Sequence, residues 1–415
     1  MKKIAKLSLV AAVAVVGFTS ANATPLEEAI KGVETSGSVV YRYNNYDNDV
    51  TTPTSDNDAD NNYKIGLNLA SKINEDVKLN TRFIVGSETT GSFATMDTAN
   101  ADEQADVSLS NVYFGYTGIQ NTTVNVGKQG LTTPWTVAID SDGNEQNGTG
   151  ILALSTVGPV TLAGAYFNQH NVDASTDAVD ASTDAKVSNI GSLNLGTPLV
   201  GVLKGDESIA TVGAIAPVGP VTFDAWYLDL QETFDSYTVG AKSSLDFSGV
   251  TLGLDARYAS LTLDDSVANA LSVDDANSIA KIMLTAKMGI VSAKVLYAMT
   301  DEDGGLTALD NDAVTTVNGW STTVNGKADA DYWQTSLGLD ILSNLNLSAN
   351  YNNLQYVNAS AQDLTEEELY AQLVYKMSKN LSSYVRVGTY TKDNDTTNTA
   401  INDDTRGRVQ VEYTF

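Results

Sequence analysis

The last ten residues, 406–415, constrain the fold more than any other stretch. Val409, Val411, Tyr413 and Phe415 fall on one face of a strand, and Arg406, Arg408, Gln410, Glu412 and Thr414 on the other. A soluble sheet can produce this alternation, but it rarely ends a chain on an unprotected aromatic. A transmembrane β-barrel needs it, with lipid on one side, water on the other and an aromatic at the membrane rim.

A closing strand that ends on Tyr413-Thr414-Phe415 also resembles the signal by which bacterial outer-membrane barrels are recognised for assembly. The barrel-assembly machinery is therefore an expected partner, with Phe415 and Tyr413 as the residues it reads. The other end agrees. Lys2, Lys3 and Lys6 open the chain, 7–18 is an apolar run, and Ala21-Asn22-Ala23 supplies a small-x-small cleavage pattern. The sequence divides into a signal peptide over 1–23 and a barrel domain over 24–415, with a short helix expected at 25–31. No segment approaches the ~20 unbroken apolar residues of a spanning helix. Insertion must then use strands, since only helices and closed barrels satisfy the backbone in lipid. The expected location is the outer membrane of a Gram-negative bacterium, in contact with lipid and lipopolysaccharide.

Charge narrows the partners. The chain carries 51 acidic and 24 basic residues, a net charge of −27, and removing the signal takes three lysines and no acids, leaving a charge near −30. Phosphate binding needs clustered Lys and Arg, so nucleic acid is excluded as a partner. The absence of cysteine excludes a disulfide framework and a thiolate metal site.

Short alternating segments run the length of the chain. Strands are predicted at 37–46, 62–72, 76–85, 105–117, 122–128, 149–156, 160–167, 207–216, 220–229, 236–245, 249–259, 278–288, 290–299, 331–340, 344–354, 368–377, 381–390 and 406–415. Eighteen is an even number, as a bacterial single-chain barrel requires. Short connections, such as Asn74-Glu75 and Pro217-Val218-Gly219, alternate strictly with long ones at 47–61, 86–104, 129–148, 168–206, 260–277, 300–330, 355–367 and 391–405. Short periplasmic turns opposite long outer loops fit the predicted antiparallel, all-β transmembrane barrel.

Giving the apolar parity to lipid puts Val39, Tyr41, Ile65, Leu67, Leu252, Leu254, Leu347 and Tyr351 outside. The same parity turns Arg42, Lys64, Lys78, Arg82, Lys242, Arg257, Lys281, Lys287, Lys294, Lys376, Arg386, Arg406 and Arg408 inward. Lipid exclusion of charge explains that parity, but not the excess of bases over acids on the strands. A basic pore wall of Arg42, Lys78, Arg82, Lys242, Arg257, Lys294, Arg386, Arg406 and Arg408 is expected to face an acidic loop across a water-filled constriction. Such a transverse field sorts ions and orients dipolar solutes.

The expected acidic partner is the third outer loop, 129–148, with Trp135 docking on the wall and Asp140, Asp142 and Glu145 projecting into the channel. Val126-Gly127-Lys128-Gln129 followed by Trp135-Thr136, the segment Ala23-Thr24-Pro25-Leu26-Glu27-Glu28-Ala29-Ile30, and Tyr41-Arg42-Tyr43 resemble the Campylobacter-type major outer membrane porins. The resemblance implies an eighteen-stranded homotrimeric general porin with cation preference and a calcium ion near the constriction. Loop lengths here differ from that pattern. Independently, Asp140-Ser141-Asp142-Gly143-Asn144-Glu145 gathers three carboxylates around a glycine turn, an oxygen-rich fragment suited to Ca²⁺, and Asp301-Glu302-Asp303-Gly304 is similar. Neither is a full EF-hand loop.

Catalysis has little foothold. His170 is the only histidine, lies in the long 168–206 loop without a Ser or Asp motif, and reads as a solvated loop residue. Three functions remain open on the sequence. They are a general diffusion channel for ions and small hydrophilic solutes, a substrate-selective channel with an arginine or aromatic track, and an adhesin or structural barrel working through its loops. Small-residue stretches at 150–154 and 162–165 are the candidate contact between barrels.

Overall fold

The computed structural model describes residues 32–50, 58–87, 91–96, 106–172, 203 and 205–415; the signal region, Thr24 and the 25–31 helix lie outside them. The strands are β1 (Glu34–Asn48), β2 (Asp58–Lys72), β3 (Val77–Gly86), β4 (Ala94–Thr95), β5 (Asp106–Ile119), β6 (Thr122–Gly130), β7 (Asn147–Val157), β8 (Val160–His170) and β9 (Ile209–Val218). They continue as β10 (Val221–Leu230), β11 (Phe234–Phe247), β12 (Val250–Leu263), β13 (Ala276–Met288), β14 (Val291–Thr300) and β15 (Ala328–Leu342). β16 (Leu345–Val357), β17 (Asp363–Lys376), β18 (Leu381–Asn394) and β19 (Thr399–Thr414) complete the set. Every pairing is between antiparallel neighbours, and β1 against β19 closes the sheet on itself, from Ser38↔Thr414 to Asn48↔Asp404. This is a closed eighteen-stranded barrel plus one extra strand, the two-residue β4, which pairs with β2 at Tyr63↔Ala94.

All eighteen predicted strands are present, but their outer ends run longer than the pattern suggests. β18 and β19 are joined by a four-residue turn at 395–398, where the sequence reads as a loop over 391–405. The reason is physical. Beyond the membrane both faces of a strand are wet, so the apolar alternation stops while pairing continues through polar contacts, such as Thr365 Oγ1 to Asp395 Oδ2 at 2.6 Å. The strict alternation in connection length fails at 395–398 and at one further outer connection. The outer connection between β10 and β11 is only residues 231–233, because Leu228, Leu230 and Phe234 turn inward and are buried there. A short helix, α1 (Asp265–Leu271), is a further departure; it lies in the sixth outer loop and buries Val267 and Ala268. Among the described residues no helix is long and apolar enough to cross a membrane.

The lipid face carries the expected apolar residues, with Val39, Tyr41, Leu252, Leu254, Leu347 and Tyr351 exposed. The lumen is not uniformly polar. Two apolar clusters fill the outer half of one side, joining inward residues of β10–β12 (Leu228, Leu230, Phe234, Leu261, Leu263) to loop residues Leu131, Trp135, Leu306 and Leu309. The second joins Ala298, Tyr332, Leu354 and Tyr356 to Val317 and Val324. These clusters hold two loops inside the barrel, and burial of such large side chains supplies ~1.5–3 kcal/mol each.

Candidate functional site: the constriction

The third outer loop, 131–146, leaves β6, crosses the lumen and returns to β7. Trp135 is fully buried, and its indole Nε1–H donates to Ser236 Oγ on β11 at 2.7 Å. A second loop, 301–327, folds in beside it. Leu309 N–H donates to Trp135 O (2.8 Å), Thr315 N–H to Pro134 O (3.1 Å) and Gln146 Nε2 to Leu309 O (3.3 Å). The tip of this seventh loop is fixed by Glu368 of β17, whose carboxylate accepts the backbone N–H groups of Trp320 (3.0 Å), Ser321 and Thr322 (3.1 Å). Two loops, then, narrow the lumen.

Opposite them runs a basic wall. Strand register puts Arg386, Arg408 and Asn44 on one rung, with Arg42 and Gln410 on the next. Arg42 reaches the third loop, donating to Asp142 Oδ1 at 3.1 Å and Ser141 O at 2.7 Å. Arg408 donates to Asn44 and Tyr46 and lies 3.9 Å from Asp142. Arg386 bonds Gln372 and stacks against Trp320, Tyr370 and Tyr384, at 4.9, 5.0 and 5.4 Å from the ring centroids. Arg406 pairs with Asp404 and lies 4.1 Å from the Tyr390 ring.

The three predicted pore acids have different settings. Glu145 is buried in a triad with Lys64 (2.8 Å) and Arg82 (2.7 Å), and Ser110 donates to it as well. Burial favours its neutral form, but Arg82 and Lys64 outweigh this and hold its carboxyl below the usual range. Asp142 is half exposed, its side chain retaining 55% of its accessible surface, between Arg42 and Arg408. Asp140 is buried and bonded to Asn144 N–H and Nδ2; burial, reinforced by Asp142 and Asp312, pushes it up to about 6. Asp310 of the seventh loop is fully buried and pushed up to about 7, by burial and then by the charge of Asp140. Asp312 bonds Ser141 N–H at 2.5 Å, tying the two loop tips together.

The expected calcium ligands therefore point to separate partners. As arranged, Asp140, Asp142 and Glu145 do not close around one ion, and among the described residues no group of three or more His, Cys, Asp or Glu could hold a metal. Asp301 is engaged locally, accepting Asp303 N–H at 3.1 Å.

The whole chain, residues 1–415, matches the family model described as Campylobacter major outer membrane protein. The chain belongs to this family. No match is found among curated proteins. Solved structures share its fold. OccAB3 of Acinetobacter baumannii superposes with a TM-score of 0.73 at 14% identity, covering 93% of this chain and 99% of that one. OccK8 (OprE) of Pseudomonas aeruginosa gives 0.70 at 15% identity, covering 93% and 98%. OccK2 (OpdF) of the same organism, solved in complex with glucuronate, gives 0.69 at 13% identity, covering 92% and 98%. Membership of this outer-membrane protein family gives the location as the outer membrane, and the solved structures show the same barrel fold.

Within this family member the remaining predicted wall residues lie apart from the constriction cluster. Lys78 pairs with Glu34 at 3.2 Å and Lys242 with Asp255 at 2.9 Å, both well exposed. Arg257 grips Asp224 through two 2.8 Å bonds, passing Gly240, where a Cβ would come within 2.5 Å of both side chains. Lys294 donates to Gln334 at 2.6 Å. Tyr413 and Phe415 stack with ring centroids 5.9 Å apart. His170 corrects the expectation of a solvated residue: it ends β8, is buried, accepts Val172 N–H and lies 3.6 Å from Glu207. Pattern reading missed Asp310, Asp312, Trp320 and Glu368. The signal available for the first three was the apolar content of 306–324, unusual for a solvated loop.

Proposed function

We propose that the protein is a non-enzymatic, water-filled channel for ions and small hydrophilic solutes, with a modest cation preference set by opposed charges at the constriction. The observation that carries this reading is Asp142. It is half exposed to the lumen, whereas the side chains of Arg42, Arg408 and Arg82 keep only 8%, 10% and 11% of their surface. A passing ion meets the carboxylate more openly than the guanidinium groups, and charges in a narrow low-dielectric passage act on each ion. The large negative charge of the chain contributes less, because exposed loop charges are screened within ~8–10 Å at physiological salt. Homotrimeric assembly and removal of 1–23 belong to the same reading. Planar-bilayer recording across a KCl gradient tests it. A reversal potential on the cation side is expected; no conductance would sink the channel reading, and anion selectivity would sink its charge argument.

One observation favours a second reading, a channel selective for carboxylated solutes. Arg386, Arg406 and Arg408 line one side of the lumen beside Trp320, Tyr370 and Tyr390, and the similarly folded OccK2 was solved with glucuronate. Saturable block of the KCl current by gluconate, absent with neutral solutes, would establish it over the first.

A further inference from the structure

Below the Glu145 triad, in the periplasmic half of the lumen, the inward faces of β1, β2, β3 and β5 enclose a polar pocket of about 360 Å³. That is near the lower end for small-molecule sites. Ser36, Asn68, Asn80, Arg82, Asn111 and Tyr113 line it. Register explains the assembly: Ser36↔Asn68, Asn68↔Arg82, Arg82↔Asn111 and Asn80↔Tyr113 all share the inward parity. Gly115, also inward, lets two carboxamides close over its backbone: a Cβ there would lie 3.5 Å from Asn80 Nδ2 and 3.3 Å from Asn125 Oδ1.

Charge in the pocket is already compensated. Arg82 is held by Glu145 and donates to Asn68 Oδ1 at 2.9 Å. Glu34, at the rim, is paired with Lys78. In contrast, the Asn80 carboxamide and the Tyr113 hydroxyl make no hydrogen bond within the described structure, and Asn111 uses only its oxygen, toward Ser110. A carboxamide offers both donor and acceptor, and a phenol adds a third such group with an apolar ring face. A strongly charged ligand would find no free counter-charge, and an apolar one would leave these groups without partners. Adjacent hydroxyls on a ring, each able to donate and accept, fit all of them.

We propose that this pocket is a subsite for small neutral polyols of hexose size, occupied just after the solute passes the constriction. The inference rests on the channel reading above and adds a solute class to it. Affinity must be weak, since a site on a conduction path has to release what it binds.

The test uses D-glucose on the full-length protein in planar bilayers, with a polyethylene glycol of equal hydrodynamic size as control. Glucose is expected to lower the KCl current saturably, while the glycol lowers it in simple proportion to its concentration. Asn80→Leu, Asn111→Leu and Tyr113→Phe should each raise the half-saturating glucose concentration about three- to tenfold, as loss of one hydrogen bond implies. Each variant's own glycol response is the reference. Saturation-transfer NMR of glucose with the detergent-solubilised protein reads the contact without any current. Glucose behaving like the glycol, no transfer signal, or variants matching wild type would each overturn the subsite. Loss of KCl conductance in the wild type would instead overturn the channel reading.

Discussion

Arg42 of β1 and Asp142 of the third outer loop, one hundred residues apart in sequence, bring their charged groups to 3.1 Å across the lumen. The pair does two things: it ties the loop tip to the wall, and it leaves a carboxylate open to the lumen. Because Asp142 is half exposed, the ion pair is worth less than ~1 kcal/mol of stability. On the channel reading proposed above, its electrostatic effect on permeation is the larger consequence.

Asp142→Asn should therefore leave thermal stability nearly unchanged and move the reversal potential toward anions, more strongly at low salt, where screening is weakest. Neutralising Asp140, Asp142 and Glu145 together should move it further. If that triple variant matches wild type while neutralising Asp310 and Asp312 shifts the potential, the seventh loop and not the third sets selectivity.

Selectivity should also depend on pH near neutrality. Asp140 titrates at about 6 and Asp310 at about 7, both in loops folded inside the barrel. At pH 8 both are ionised and favour cations; at pH 5 both are protonated and the arginine wall counts for more. Cation preference should fall between pH 8 and 5, and Asp310→Asn should flatten the upper part of that curve. The stability effect has the opposite sense. Both folded values lie above the ordinary carboxyl range, so the stabilisation from proton uptake is present in acid and is lost as pH rises through about 6 to 7. A selectivity curve that is flat from pH 5 to 8 in the wild type would contradict this.

Glu145 presents the opposite case. It is the one anion among Lys64 and Arg82, all three being largely buried. Removing one member of a buried charge network costs ~3–5 kcal/mol, since the others are left unpaired. Glu145→Gln should loosen the third loop, give larger and noisier single-channel currents, and expose 131–146 to protease. Asp142→Asn should do none of these, and equal protease sensitivity of the two variants would refute the distinction.

The barrel was legible because lipid imposes a period of two that few folds share; Leu252, Leu254 and Arg257 declare their faces without any partner being known. Loop interiors were not, because a loop has no period. Glu145 and Asp142 stand three residues apart with the same chemistry, yet one is buried between two cations and the other is open to the lumen. Only the path of the chain across the barrel, set by Trp135 reaching Ser236, separates them. The inward leucines of β10–β12 were hidden by the rule that served elsewhere, since an apolar residue on a membrane strand is read as facing lipid. Those residues seat the two loops.

Association of barrels should involve the outer face of β7–β9. Ala153 stands opposite Gly164, and a Cβ at Gly164 would meet nothing within 4 Å, which leaves a shallow surface where another barrel could approach closely. Gly164→Trp should convert trimers to monomers in native mass spectra taken in mild detergent, without loss of single-barrel conductance. A purely monomeric wild type would remove the idea.

The chain terminus takes part in closing the barrel. Phe415 N–H donates to Gly37 O at 3.1 Å and Gly37 N–H to Phe415 O at 2.9 Å, so the last residue completes the β1–β19 seam beyond Thr414. Its ring lies over Gly37, where a Cβ would come within 2.8 Å of it. Deleting Phe415 removes both bonds and the rim aromatic; Phe415→Ala keeps the bonds and removes only the ring. If the aromatic is what the assembly machinery reads, both variants should lower the amount of heat-modifiable barrel in outer membranes to a similar degree. If the seam matters more, the deletion should be far worse than the alanine variant. Barrels that do assemble should conduct like wild type in either case, because Phe415 sits at the periplasmic rim and not at the constriction. Normal assembly of the deletion variant would show that neither contribution is needed.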